Sequence, residues 1–181
     1  AHYLLALARS EAGPIVHALQ AMPDPPPDGQ LLVWARNHDE ADLGRLSQDE
    51  RAEVMAAFAP EPGMQLYGRG IRRRLPPMLG GDQQWLELAY SVMFSLPGAP
   101  VLRYGEEIGM GDDLSLPERA AVRTPMQWSD TVNGGFSSAP AHRLVAPVIS
   151  KGPFGYQTVN AATAGADPHS LLEAIERMVR V

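Results

Sequence analysis

The chain has 181 residues, 45% of them hydrophobic, enough for one packed domain and too apolar for disorder to be the default. Fifteen Lys and Arg against 21 Asp and Glu give a formal charge of -6, spread along the chain, which disfavours nucleic acid and other polyanions as partners. The absence of cysteine excludes a disulfide framework and cysteine-ligated zinc and fits a cytoplasmic setting, and no apolar run approaches the roughly 18 residues of a membrane span.

In chain order, Tyr3 to Ala8 reads as the end of a helix broken at Gly13-Pro14, and Pro14 suits the first turn of a second helix reaching Met22. Pro23 to Gly29 is a loop. Leu31 to Ala35 is a continuous apolar run, the pattern of a strand buried on both faces of a parallel sheet. Ser47 with Glu50 forms a capping box before a helix whose inward stripe is Val54, Met55 and Phe58. Asp82 caps a further helix with Trp85, Leu88, Ala89, Val92 and Leu96 at core spacing. A second strand, Pro100 to Leu102, runs into Tyr104-Gly105, and Asp167-Pro168 opens a last helix with Leu171, Leu172, Ile175 and Val179 inward.

Strand, helix, strand, helix is the order of an α/β unit. Two parallel strands alone cannot bury both sheet faces, and about sixty residues rich in Gly, Pro, Asn and Ser follow the second strand, far beyond ordinary loop lengths. One reading accounts for both features. The sequence is the C-terminal portion of a (β/α)8 TIM barrel, its last two βα units with a long loop after the final strand, and residues 1–181 form one partial catalytic barrel whose N-terminal part lies elsewhere. The start at Ala1-His2-Tyr3 rather than Met agrees with an absent upstream portion.

In such a barrel the C-terminal strand ends point polar residues at substrate, which singles out Asn37-His38-Asp39. Glu106 and Glu107 are also carboxylates at a strand end, but neighbouring strand residues face opposite sides, so at most one enters the mouth and one is read as a loop anchor. Arg72-Arg73-Arg74 is read as a solvated or ion-paired helix face. His2, His17, His142 and His169 lack metal-ligand spacing, and no calcium-loop pattern surrounds Asp112 and Asp113.

Arg36-Asn37-His38-Asp39-Glu40 resembles the fourth conserved region of the α-amylase superfamily, glycoside hydrolase family thirteen. Tyr104 to Met110 resembles the family's last barrel strand, and Val122 to Trp128 resembles a segment of its α-glucosidase, oligo-glucosidase and trehalose synthase members. Gly70 to Leu75, Asn133 to Ser137 and Gly155 to Asn160 are most similar to trehalose synthase. The resemblance implies retaining cleavage of an α-glucosidic bond through an oxocarbenium-like transition state. It makes Asp39 the carboxylate that stabilises that state, His38 a hydrogen-bonding partner of the same glucose, and Arg123 either a pocket residue near the second sugar or the partner of an acidic neighbour.

By the same resemblance the nucleophile and general acid come from earlier strands, which nothing before Arg36 matches, so the isolated segment is expected to be inactive. The implied substrate is a small α-glucoside (maltose, trehalose or short malto-oligosaccharides). No metal site or cofactor is expected in this segment, and calcium is left open for the full-length barrel. Hydrolytic α-glucosidase action, or a non-catalytic sugar-binding or scaffold role, are the alternatives. Arg103 and Glu106 stand where the family often has Tyr and Asp, and Ala174 lies near a usual aromatic, departures that bear on maltose-to-trehalose specificity.

Overall fold

The computed structural model describes residues 1–180. Helix α1 (His2–Arg9) buries Leu4, Leu5 and Leu7 and ends at Ser10 in a left-handed conformation. Helix α2 (Gly13–Gln20) follows with Pro14 in its first turn. Strand β1 (Leu32–Val33) leads through residues 34–40 into β2 (Ala41–Asp42) and helix α3 (Gln48–Phe58). The expected capping box closes at the start of α3: Ser47 accepts from the Glu50 backbone N–H, and Glu50 accepts from that of Ser47. Strands β3 (Gln65–Leu66) and β4 (Gly70–Ile71) precede a one-turn helix α4 (Leu75–Met78) and helix α5 (Gln83–Phe94), capped by Asp82. Strand β5 (Ala99–Pro100), helix α6 (Ala161–Ala166) and helix α7 (Leu171–Val179) complete the chain.

β1 and β5 pair in parallel, Leu32 opposite Ala99 and Val33 opposite Pro100, with α3 to α5 between them in sequence. This alternation is an α/β arrangement. A second sheet, which the sequence pattern did not reveal, joins β2, β4 and β3 antiparallel. One main core holds Leu5, Leu43, Val54, Ile71, Leu75, Ala89, Tyr90 and Met93, with Val33 and Ala35 packed against it.

Three expectations about burial are corrected. The β1 run is not covered on both faces: Leu32 is 59% exposed and Trp34 46%, because among the described residues β1 pairs only with β5 in a two-stranded sheet. In α5 the core stripe is Leu86, Ala89, Tyr90 and Met93, one residue round from the expected one, leaving Trp85 and Leu88 on the surface. Both stripes are apolar at helical spacing, so packing rather than pattern selects the face. In α7 the cap is Ser170, whose hydroxyl accepts from the Glu173 N–H, not Asp167-Pro168, and Val179 in the last turn is exposed.

The long segment after β5 is ordered by side-chain anchors rather than by strands. It contains 3-10 turns at Glu118–Val122, Val132–Gly135 and Ala141–Arg143. Gln127 is fully buried, its amide donating to the carbonyls of Phe154 and Val159, while the amide of Asn133 donates to those of Ser137 (2.9 Å) and Ala139 (2.7 Å).

Candidate active site

The segment 36–40 leaves the C-terminal end of β1 and has no strand to pair with until Ala41. Unpaired backbone carbonyls there need other donors, and arginines supply them. Arg36, 3% exposed, donates from Nε to the Arg73 carbonyl at 2.7 Å and from Nη1 to the carbonyls of Asn37 and Asp39. Arg103 donates to the Asn37 and Val122 carbonyls, and Arg123 Nε donates to the His38 carbonyl at 2.9 Å. Asn37 closes an Asx turn, its side-chain oxygen accepting from the Asp39 N–H at 2.9 Å. Burial pushes the Arg36 guanidinium down to about 10, and burial likewise lowers Arg103.

Held this way, the Asp39 and His38 side chains face outward. The Asp39 carboxylate is 38% exposed and lies 3.7 Å from His38 Nε2. Arg123 Nη2 binds Asp39 Oδ1 at 2.7 Å, and Arg119 Nε lies 3.5 Å from the same oxygen. Arg119 grips Glu40 with both fork nitrogens, Nε to Oε2 at 2.5 Å and Nη2 to Oε1 at 3.1 Å. That pair holds the Glu40 carboxyl below the usual carboxylate range. The structure brings the three candidate residues together: Arg123 pairs with Asp39 and also lines a cavity of about 600 Å³ with Glu107, Trp128 and Phe136. A smaller cavity, about 310 Å³, is lined by His38 with Trp34, Val101 and Arg103.

The second strand end behaves differently. Residues 104–109 form turns rather than strand, and Glu106 points inward, 2% exposed, to Arg74 Nη1 at 3.3 Å and the Tyr90 hydroxyl at 2.8 Å. It is the expected anchor. Glu107 lines the larger cavity, and burial raises its carboxyl. Two of the three arginines in the run, Arg73 and Arg74, are ion-paired, and the run is not a helix face. Arg74 is fully buried at the extended residue before α4, Arg73 pairs with Asp112 at 3.6 Å, and Arg72 donates to the Leu114 carbonyl at 2.8 Å. Asp112 also accepts from the Arg74 N–H at 2.9 Å, so its carboxylate is engaged by protein groups. Among the described residues no group of three or more His, Cys, Asp or Glu is placed to hold a metal ion, and no helix is long and apolar enough to cross a membrane.

Sequence reading missed Arg36 and Arg103 as holders of the loop that carries Asp39, and the Arg119–Glu40 pair packed beside that loop.

The model of the α-amylase catalytic domain matches residues 72–181. The chain belongs to the α-amylase catalytic-domain family. Within it, the chain is 42% identical over 175 residues to trehalose synthase of Thermus thermophilus, covering 97% of this chain and 18% of that protein. It is 41% identical over 177 residues to the trehalose synthase/amylase of Mycolicibacterium smegmatis, covering 98% and 30%. The α-amylase-family chain thus spans well under half the length of these relatives. Trehalose-6-phosphate hydrolase of Bacillus licheniformis superposes with a TM-score of 0.53 at 18% identity over 84% of this chain and 27% of its own, a likeness of fold.

Proposed function

We propose that the chain forms the last two βα units of a (β/α)8 glycosidase barrel and supplies part of the active site of a trehalose synthase-like enzyme that interconverts maltose and trehalose by retaining transglucosylation. The observation that carries this reading is the Asp39–His38 pair, open to solvent beyond the end of a parallel strand, in a chain about 40% identical to trehalose synthases along nearly its whole length. Asp39 would touch the glucose hydroxyls, and its fixed negative charge would oppose the positive charge that builds on the ring as the bond breaks. His38 Nε2, on the same outward side, would hydrogen-bond the same glucose. Arg123, bonded to Asp39 and exposed to the 600 Å³ cavity, would orient the carboxylate and border the second sugar.

Two further carboxylates from the upstream part of the barrel complete the reaction, one as nucleophile and one as acid and base; Glu106, locked to Arg74 and Tyr90, takes neither role. Carboxylates suffice for this chemistry, so no cofactor enters it. Transfer to a second glucose rather than to water needs an enclosed site, and the anchored segment from Asn133 to Gln157 is placed beside the larger cavity to enclose it. The cysteine-free composition suits a cytoplasmic setting.

The test is product analysis of the full-length protein on maltose, with Asp39→Asn alongside. Trehalose formation that falls by several orders of magnitude in the variant supports the reading. Glucose as the sole product assigns a hydrolytic α-glucosidase instead, and wild-type turnover by the variant removes Asp39 from the chemistry. The isolated 181-residue chain is expected to release no glucose from maltose.

A further inference from the structure

We infer that Glu40 is a positioning residue that keeps Arg119 to an ion-pair approach of 3.5 Å to Asp39, so that only one guanidinium, that of Arg123, hydrogen-bonds the site carboxylate. The inference rests on the reading of Asp39 as the stabilising carboxylate. Arg119 stands between two acids, and the geometry shows which one holds it. Both of its fork nitrogens bond to Glu40, at 2.5 and 3.1 Å, while its approach to Asp39 is 3.5 Å. Asp39 Oδ1 already receives Arg123 at 2.7 Å.

The surroundings hold Glu40 in that role. Its side chain is 9% exposed and lies across β4 where Gly70 has no side chain. A Cβ at Gly70 would meet Glu40 Cγ at 2.6 Å and Cβ at 2.9 Å. Arg119 is supported from the other side by the Tyr67 ring, 5.6 Å from its guanidinium carbon. Tyr67 and Glu118, next to this contact, both have left-handed backbones, φ 54° and 43°. Such non-glycine conformations persist where surrounding contacts over-determine them.

The charge arithmetic gives the arrangement its consequence. Asp39 and Glu40 balance Arg119 and Arg123, while Arg36 and Arg103 bond to loop carbonyls behind them. With Glu40 neutral, Arg119 has a single carboxylate left within reach, and two guanidiniums on Asp39 would oppose the positive charge that must develop on the sugar. A structural tie makes a different prediction, since it is broken equally by the loss of either partner.

The experiment compares Glu40→Gln, Arg119→Gln and the double variant in the full-length protein, with Asp39→Asn in parallel. Glu40→Gln is expected to lower kcat by about ten- to a hundredfold, the scale of an uncompensated charge at this range, with KM changing less. Arg119→Gln is expected to stay within about threefold of wild type, and the double variant to recover to the level of Arg119→Gln. Equal losses in all three, or a double variant no better than Glu40→Gln, overturn the inference. If Glu40→Gln melts early, the double variant still decides, because it lacks both partners. Recovery of activity there supports the charge role, and continued loss overturns it. Failure of Asp39→Asn to impair turnover would remove the reading of the site itself, whereas collapse of that variant beside symmetric Glu40 and Arg119 losses overturns this inference alone.

Discussion

Two strand ends, two pairs of acids and two opposite outcomes meet in this molecule. After β1, Asp39 faces outward and Glu40 packs across β4 onto Arg119, on a loop whose carbonyls are held by Arg36, Arg103 and Arg123. After β5, Glu106 turns inward to Arg74 and Tyr90 and leaves only Glu107 beside a cavity. The same residue types stay partly open to solvent at one end and are locked into the core at the other because of where the arginine pairs sit. Both Asp39 and Glu106 meet a guanidinium, but the Arg123–Asp39 pair lies at the surface with the carboxylate 38% exposed, whereas the Arg74–Glu106 pair is sealed in the core, where no substrate reaches it.

The contrast breaks most sharply under two substitutions with opposite signatures in the full-length protein. Asp39→Asn is expected to lose several orders of magnitude in turnover with little change in melting temperature, since its side chain is partly exposed. Glu106→Leu should do the reverse. It leaves the fully buried Arg74 without its carboxylate, a change on the order of 3–5 kcal/mol in stability. Turnover per folded molecule should remain, and denaturant unfolding read beside activity distinguishes the two. Large loss of specific activity in Glu106→Leu at unchanged stability would make the two strand ends alike.

A smaller effect tests the arginine staples. Arg36→Lys keeps the charge but cannot serve the carbonyls of Arg73, Asn37 and Asp39 together. A loss of about 1–3 kcal/mol, the scale of buried acceptors left unpaired, is expected in unfolding experiments. Turnover should drop with it, because the loop that carries Asp39 loosens. Unchanged stability would show that the staples are incidental.

What the sequence shows of this arrangement follows the range of the interactions. The Ser47–Glu50 capping box and the Asp82 cap are local and legible. The placement of His38 and Asp39 beyond a parallel strand is legible in the apolar run that precedes them, and Arg123 is singled out by a family resemblance carried by short contiguous motifs. The Arg119–Glu40 pair spans 79 residues, and no local pattern encodes a contact of that separation. The β2–β4–β3 sheet escapes because each strand is two residues long, too short for alternation to show. The rotation of the α5 stripe escapes because Trp85 and Leu88 are as apolar as the residues that replace them in the core. The bare face of β1 illustrates the opposite case. Leu32 and Trp34 read as buried because a continuous apolar run is the pattern of a doubly covered strand, yet both are exposed.

The finest distinction concerns the acid that neither bonds an arginine nor faces the open side of β1. Burial raises the Glu107 carboxyl above its ordinary value, so in the folded protein it holds its proton to higher pH than in the unfolded chain. Its contribution to stability is then fully present below the ordinary glutamate range and is lost as pH rises through the raised value. Glu107→Gln, which mimics the protonated form, should remove that loss. The variant should match wild type in melting temperature near pH 4 and exceed it slightly at pH 7. A wild type that gains on the variant as pH rises would mean that a cation stabilises the charged form. Arg123 and Arg143, which line the same cavity, would be the groups to examine, and Glu107 would then resemble Glu106 rather than stand apart from it.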